Sequence, residues 1–428
     1  MHAVKRVALV AAHFPPSNLT NVHRARLWGR FLREFGWQPV VVTTHWDYYE
    51  EELDWDLVQL VPRDLEVVRT QAFPTRPFRI VGDLGVRALW WHYRALCLLA
   101  RDGGLDFVHI TIPSNFSALL GRLVHRATGV AYGIDYNDPW VHRWPGTEKI
   151  FSRAWLSCKL GDWLEPWALR DARLITGVAP LYYEDVLARN PALRARAVTA
   201  AMPHGACEED FSQVRGAARK LFLFEPGDGR FHILYAGALL PNAHVVLQRL
   251  LEGIAHLAKA RPGVAGRVRL HFVGTGRSPG DPQGFNVMPY VERLGLQTHV
   301  DEHPHRIAYI DVLNHLCHAS GILVLGSTEK HYTPSKVFQA ALARRPVFAL
   351  LHRDSTAVDM IRRSRVGTVL TLAEGALPAI EETAVALERF VTGNGYAPER
   401  VDWRVFEETS ARQSACALAD AMNRALAG

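Results

Sequence analysis

The strongest constraint on the fold is a rhythm. Short Val- and Ala-rich runs alternate with stretches whose apolar residues recur at helical spacing. Residues 6–12 read RVALVAA and are closed by His13-Phe14-Pro15-Pro16, the pattern of a strand buried on both faces and ended by proline. From Thr20 to Phe35 the residues Val22, Ala25, Leu27, Trp28, Phe31 and Leu32 fall at helical spacing, with Asn21 placed to cap them and Gly36 after the last turn. Gln38–Thr44 returns as a strand. Strand, helix and strand in so short a span make a βαβ unit, which requires a parallel sheet covered by helices. The rhythm resumes at Phe107–Ile112, a helical stretch over 117–127 and a strand near 130–134.

Around 194–229 it dissolves into Met202-Pro203-His204-Gly205 and Glu225-Pro226-Gly227-Asp228-Gly229, and a second series begins. Strands are expected at 231–236, 268–273, 322–325 and 347–351, with helices near 243–260, 307–319, 335–343 and 356–363. The stretch Trp403–Ala427 is also helical by spacing. A chain of 428 residues has room for two domains of about 200 residues each. The expected class is α/β: two doubly wound Rossmann-like domains facing across a cleft, over residues 1–205 and 206–400, with 401–428 as a helix returning toward the first.

Composition closes other routes. With 48% hydrophobic and 21% charged residues the chain is neither disordered nor collagen-like. No window reaches the ~18–20 apolar residues of a membrane span, and the first apolar run, broken by His13, is too short for a signal peptide. The five cysteines, Cys97, Cys158, Cys207, Cys317 and Cys416, are scattered without a CxxC, against a disulfide framework or zinc knuckle and in favour of a reducing cytoplasm. A net charge of +6 tolerates an anionic partner without requiring nucleic acid.

Ligands of open α/β sheets bind beyond the carboxyl ends of the strands, where helix N-termini offer unpaired N–H groups. The most informative loop runs from Gly326 to a helix opening at Thr333-Pro334-Ser335-Lys336. Thr333 fits an N-cap and Pro334 the first helical position, so the Ser335 and Lys336 amides would face the crevice and suit a phosphate. The same residues also read as an ordinary cap beside a solvated lysine. His13 and Asp138 follow strands and either face the crevice or serve as polar core or capping groups. His303-Pro304-His305 has no acidic or cysteine companions, which argues against a metal. The Phe73–Arg101 stretch interleaves aromatics with arginines, and Trp140, Trp144, Trp155, Trp163 and Trp167 crowd another. Both fit either an anionic membrane surface or an aromatic core.

The string from Thr333 to Val347, TPSKVFQAALARRPV, resembles the donor-site signature of bacterial GT-B glycosyltransferases, family 4 in particular. In chain order, His13-Phe14-Pro15-Pro16 with Arg24 and Gly36-Trp37, Asp135-Tyr136-Asn137-Asp138-Pro139-Trp140, Met202-Pro203-His204-Gly205, Leu234-Tyr235-Ala236-Gly237 and Phe272-Val273-Gly274 resemble further segments of that family. The resemblance implies a nucleotide-sugar co-substrate with no other cofactor and no metal. It places the donor on Gly237, His305, Glu329, Thr333, Ser335, Lys336 and Gln339. It places a glycan, lipid-linked or small-molecule acceptor on the first domain, with Asp138 and His13 as the candidate catalytic residues and retention at the anomeric carbon. Polysaccharide biosynthesis in the cytoplasm, at the inner membrane face for a lipid-linked acceptor, is the implied setting. Three departures accompany it: the family's ribose-binding glutamate is Gln339, the loop Ser17–Asn21 lacks paired glycines, and Ala238–Asn242 replaces an Arg/Lys pair. An epimerase of the same fold and a non-catalytic nucleotide-sugar binding protein are the alternatives.

Overall fold

The computed structural model describes residues 4–428 apart from 78–80, 113, 142–149, 204, 217–218, 240, 277–283, 329–335, 374 and 394–395. The chain divides into two compact units, one formed by 1–204 with 411–428 and the other by 205–410.

The first unit is built on seven strands: β1 (Lys5–Val10), β2 (Trp37–Thr44), β3 (Glu66–Thr70), β4 (Phe107–Ile112), β5 (Ala131–Tyr136), β6 (Leu174–Gly177) and β7 (Val198–Ala201). They lie in the order β3-β2-β1-β4-β5-β6-β7, all parallel. Order reverses between β1 and β4, so the crevice of this sheet opens at their carboxyl ends. β4 is buried along its whole length, as a strand covered on both faces must be. Val10, Val42, Ile110 and Ile134 pack with Leu96, Leu120 and Val124 from the covering helices.

The second unit has six parallel strands, β8 (Phe231–Ala236), β9 (Val268–Val273), β10 (Val300–His303), β11 (Gly321–Leu325), β12 (Val347–His352) and β13 (Gly367–Leu372), in the order β10-β9-β8-β11-β12-β13. Its switch point lies between β8 and β11. Ile233, Leu270, Leu323 and Phe348 pack with Leu247, Leu250 and Leu387.

The structure corrects three local expectations. Asn21 makes no side-chain cap, its own backbone being helical, and the stretch after it runs as an α-helix over Val22–Phe31 and a 3-10 turn over Leu32–Phe35 that Gly36 closes at φ 80°. Trp403–Ala427 is not one helix. A short turn, Arg404–Glu407, packs within the second unit, and only Ala411–Ala427 joins the first, so 401–410 does not belong with the returning segment. That last helix rests on the Val22–Phe31 helix, where the Trp28 indole donates to Ser414 Oγ at 3.0 Å. β3, β6, β7, β10 and β13 have no counterpart among the expected strands, because four to six residues with polar positions carry too little periodicity.

Candidate functional site

Each unit presents its own polar assembly at its switch point. In the second, Tyr235 is the penultimate residue of β8 and is buried, and Gly237 follows the strand at φ 127°. The Gly237 amide donates to Val273 O at 2.7 Å and the Gly274 amide to His303 O at 2.8 Å, so the chains leaving β8 and β9 stay side by side. Lys336, which opens the Lys336–Leu342 helix after β11, lies across this end of the sheet. Its ammonium donates to Tyr235 Oη at 2.6 Å and sits 3.9 Å from the centre of that ring. A Cβ on Gly237 would stand 2.4 Å from Lys336 Cε, so glycine here is what lets the lysine cross the strand end.

Among the described residues this lysine bonds to the Tyr235 hydroxyl and the Ala238 carbonyl and to no carboxylate. Burial first, and the nearby Arg306 guanidinium second, bring its pKa down from 10.5 to about 7. A phosphate beside it would favour the charged form and offset the shift. Gln339, half-buried on the same helix, donates to Tyr309 Oη at 3.4 Å. His305 is exposed and near His303. Of that segment it is Arg306, not His305, that acts on Lys336. Glu329, Thr333 and Ser335 lie outside the described residues.

In the first unit His13 follows β1 and its Nδ1 is 2.8 Å from Glu51 Oε1, which also accepts from Ser17 Oγ. Burial pushes the Glu51 carboxyl up, but the His13 and Ser17 hydrogen bonds outweigh it and hold the group at about 2. An ionised Glu51 accepts from a proton on His13 Nδ1, which leaves Nε2 as the ring nitrogen not committed to Glu51. Asp138 is exposed two residues past β5. Its neighbour Asp135 has a different task. Buried completely, it accepts from Arg24 Nε at 2.9 Å and Nη2 at 2.8 Å, while Arg24 also holds Pro203 O at 3.0 Å.

A second group of residues lies beside β4 and β5, of which sequence reasoning missed Asn115 and Ser117 and reached Asn137 and Trp140 only as part of the 135–140 segment. Asn115 Oδ1, Ser117 Oγ, both amide atoms of Asn137 and Trp140 Nε1 are buried with no hydrogen-bond partner among the described residues. Buried polar atoms are nearly always bonded, so a cluster of orphans at a switch point marks where a hydroxyl-rich molecule can complete them. The only signal in the sequence is the position of Asn115 and Asn137 just after apolar runs, too common to single out. Glu51 was hidden in the acidic run Glu50-Glu51-Glu52.

The aromatic stretches divide between the two readings given above. Arg87 is buried and donates to the carbonyls of Phe73 and Tyr48 at 3.2 and 2.8 Å, which makes it a structural brace. Leu156, Leu160 and Trp163, by contrast, share one exposed face of the Arg153–Leu169 helix, with Trp163 75% exposed. No described helix is long and apolar enough to cross a membrane. Among the described residues no group of three or more metal-ligating side chains comes together.

No protein-family model and no curated protein matches the chain by sequence. Its structure is similar over nearly full length to sucrose-phosphate synthase from Thermosynechococcus elongatus, at 16% identity and TM-score 0.58, covering 98% of this chain and 97% of that one. It is similar to a glycosyltransferase from Rickettsia africae at 14% and 0.57, covering 98% and 96%. HepE from Anabaena, solved with UDP and glucose, matches at 13% and 0.56, covering 99% and 98%. At such identities the likeness is one of fold: two Rossmann-like α/β domains of the GT-B kind.

Proposed function

We propose that this chain is a glycosyltransferase that moves a sugar from a nucleotide-sugar donor held by the second unit to a hydroxylated acceptor held by the first, with no metal and with retention at the anomeric carbon. The observation that carries this reading is Lys336, a half-neutralised cation laid across the end of β8 at the switch point, with Gly237 making room for it. The structural neighbour HepE was solved with UDP and glucose, and the string at 333–347 resembles family 4 donor sites.

Transfer forms a bond from an acceptor oxygen to the anomeric carbon, breaks the bond from that carbon to the phosphate oxygen, and releases the hydroxyl proton. Charge therefore develops on the leaving diphosphate, where Lys336 stabilises it as it regains its proton. Ser335 and Thr333 are assigned to the same phosphates, Gln339 to the ribose, Glu329 to the sugar hydroxyls and His305 to the base. In the first unit His13 Nε2 orients the attacking hydroxyl, while Asn115, Ser117 and Asn137 bond other hydroxyls, with Asp138 at the exposed rim.

A lipid-linked acceptor is the reading favoured by the exposed Leu156, Leu160 and Trp163 face, since a peripheral enzyme meets such an acceptor at a membrane surface. Co-sedimentation with anionic vesicles should be lost in Trp163→Glu; absence of sedimentation in the parent chain returns the acceptor to soluble glycans. Transfer itself is tested with a panel of nucleotide sugars, reading nucleoside diphosphate release with and without candidate acceptors and product configuration by NMR. Epimerised donor, or binding without turnover across the panel, would replace the transferase with one of its two alternatives.

A further inference from the structure

At the opposite edge of the second sheet, by the amino ends of β8, β12 and β13, lies a cavity of about 850 Å³. Arg344, Arg345, Arg365 and Arg389 line it together with Tyr396. None of its lining residues is acidic. We infer that this cavity is a binding site for a small molecule carrying two phosphoryl groups, separate from the sugar-nucleotide site by the length of the sheet.

Arginines at helix C-termini have an ordinary use, offsetting the negative end of the helix dipole, and all four stand at or just past such ends. The charge sum shows that this use is exceeded. Three helix ends amount to roughly −1.5 charges against four guanidinium groups, leaving a surplus of roughly +2.5. Among the described residues one carboxylate reaches a lining arginine, Glu208 at 3.7 Å from Arg344, and Glu208 is bonded more closely by Arg215. Glu399 acts electrostatically on Tyr396 from outside the lining. Arg345 spends one N–H on Cys317 O at 2.7 Å. The side chains of Arg365 and Arg389 make no hydrogen bond or ion pair among the described residues.

Two further observations point the same way. The Tyr396 hydroxyl is buried and has no hydrogen-bond partner among the described residues. Arg344 and Arg365 adopt left-handed backbone at φ 58° and 60°, a conformation that L-residues other than Asn and Asp rarely take. At three left-handed helix caps away from the cavity the chain uses glycine, Gly36, Gly129 and Gly295, and a fourth, Gly393, lines the cavity itself. Arg344 and Arg365 thus place side chain on the lining at positions where glycine would be easier for the backbone. Phe231 and Phe390, in edge contact at 5.7 Å, add an apolar wall for the body of an organic phosphate. The volume lies within the ~300–1,000 Å³ of small-ligand sites and is too small for a macromolecule.

The test uses the full chain carrying Lys336→Ala, which disables the sugar-nucleotide site, and inorganic pyrophosphate as the probe in calorimetry. One site should remain, weakening as salt rises. Adding Arg365→Gln and Arg389→Gln, both exposed and unbonded, should weaken it at least about tenfold with the melting temperature unchanged. Tyr396→Phe should weaken it a few-fold. A sugar bisphosphate that binds more tightly than pyrophosphate supports the organic form of the ligand. Absence of binding in the Lys336→Ala chain, equal affinity in the arginine variant, or an oligonucleotide that binds there while pyrophosphate does not would overturn the inference.

Discussion

The two switch points solve opposite problems. Beside β4 and β5 the buried polar atoms Asn115 Oδ1, Ser117 Oγ and the Asn137 amide have no partners among the described residues, whereas beside β8 the strongest polar group, Lys336, already has two in Tyr235 and Ala238. The first arrangement takes up a hydroxyl-rich molecule by filling vacant hydrogen bonds. The second takes up an anion only by drawing a lysine off a tyrosine and restoring its charge. A ligand at one should therefore be nearly indifferent to pH near neutrality, and a ligand at the other should not.

The contrast rests on an intact first unit, and that unit depends on Arg24. Arg24→Met should cost about 3–5 kcal/mol, seen in the urea transition of the first unit, because it leaves Asp135 buried without its counter-ion. Arg24→Met with Asp135→Leu should recover much of the loss. If the single variant is as stable as the parent, the pair is not what fixes this end of β5.

Nucleotide binding sharpens the second half. Lys336→Ala should weaken it by about 1.5–3 kcal/mol, the scale of hydrogen bonds to charged groups. Free Lys336 titrates at about 7, and an anion favours its charged form, so above pH 7 binding must take up a proton and affinity must fall as pH rises. Calorimetry at pH 8 in buffers of different ionisation enthalpy should show that uptake in the parent and not in Lys336→Ala. No uptake in the parent would mean that the anion does not meet this lysine.

Asn137 probes the first half with a smaller effect of two signs. Asn137→Ala removes unpaired buried atoms and should raise stability by up to about 1 kcal/mol while lowering kcat/KM for the acceptor. A variant destabilised and unchanged in kcat/KM would make the residue structural. The smallest effect is expected at Gln339, whose one bond to Tyr309 is long. Gln339→Glu should keep or tighten nucleotide affinity and Gln339→Leu should reduce it a few-fold, read by the same calorimetry. Equal binding by the leucine variant would remove Gln339 from the ribose position.

By itself the sequence determined the α/β class and the strands β1, β2, β4, β5, β8, β9, β11 and β12, and it singled out Lys336 as a candidate. Period and length are local properties, and a buried strand such as Phe107–Ile112 writes them in six consecutive residues. Short or half-polar strands such as β10, reading Val300-Asp301-Glu302-His303, write them poorly. Only tertiary structure decided that Asp135, one residue type among several in its segment, is a buried counter-ion for Arg24 while Asp138 is exposed. It alone brought Glu51 to His13, 38 positions away, and placed four arginines from three helix ends around one cavity. Charge and hydrogen-bond satisfaction are sums over everything within a few ångströms, and in a parallel sheet those neighbours come from loops separated by whole βα units.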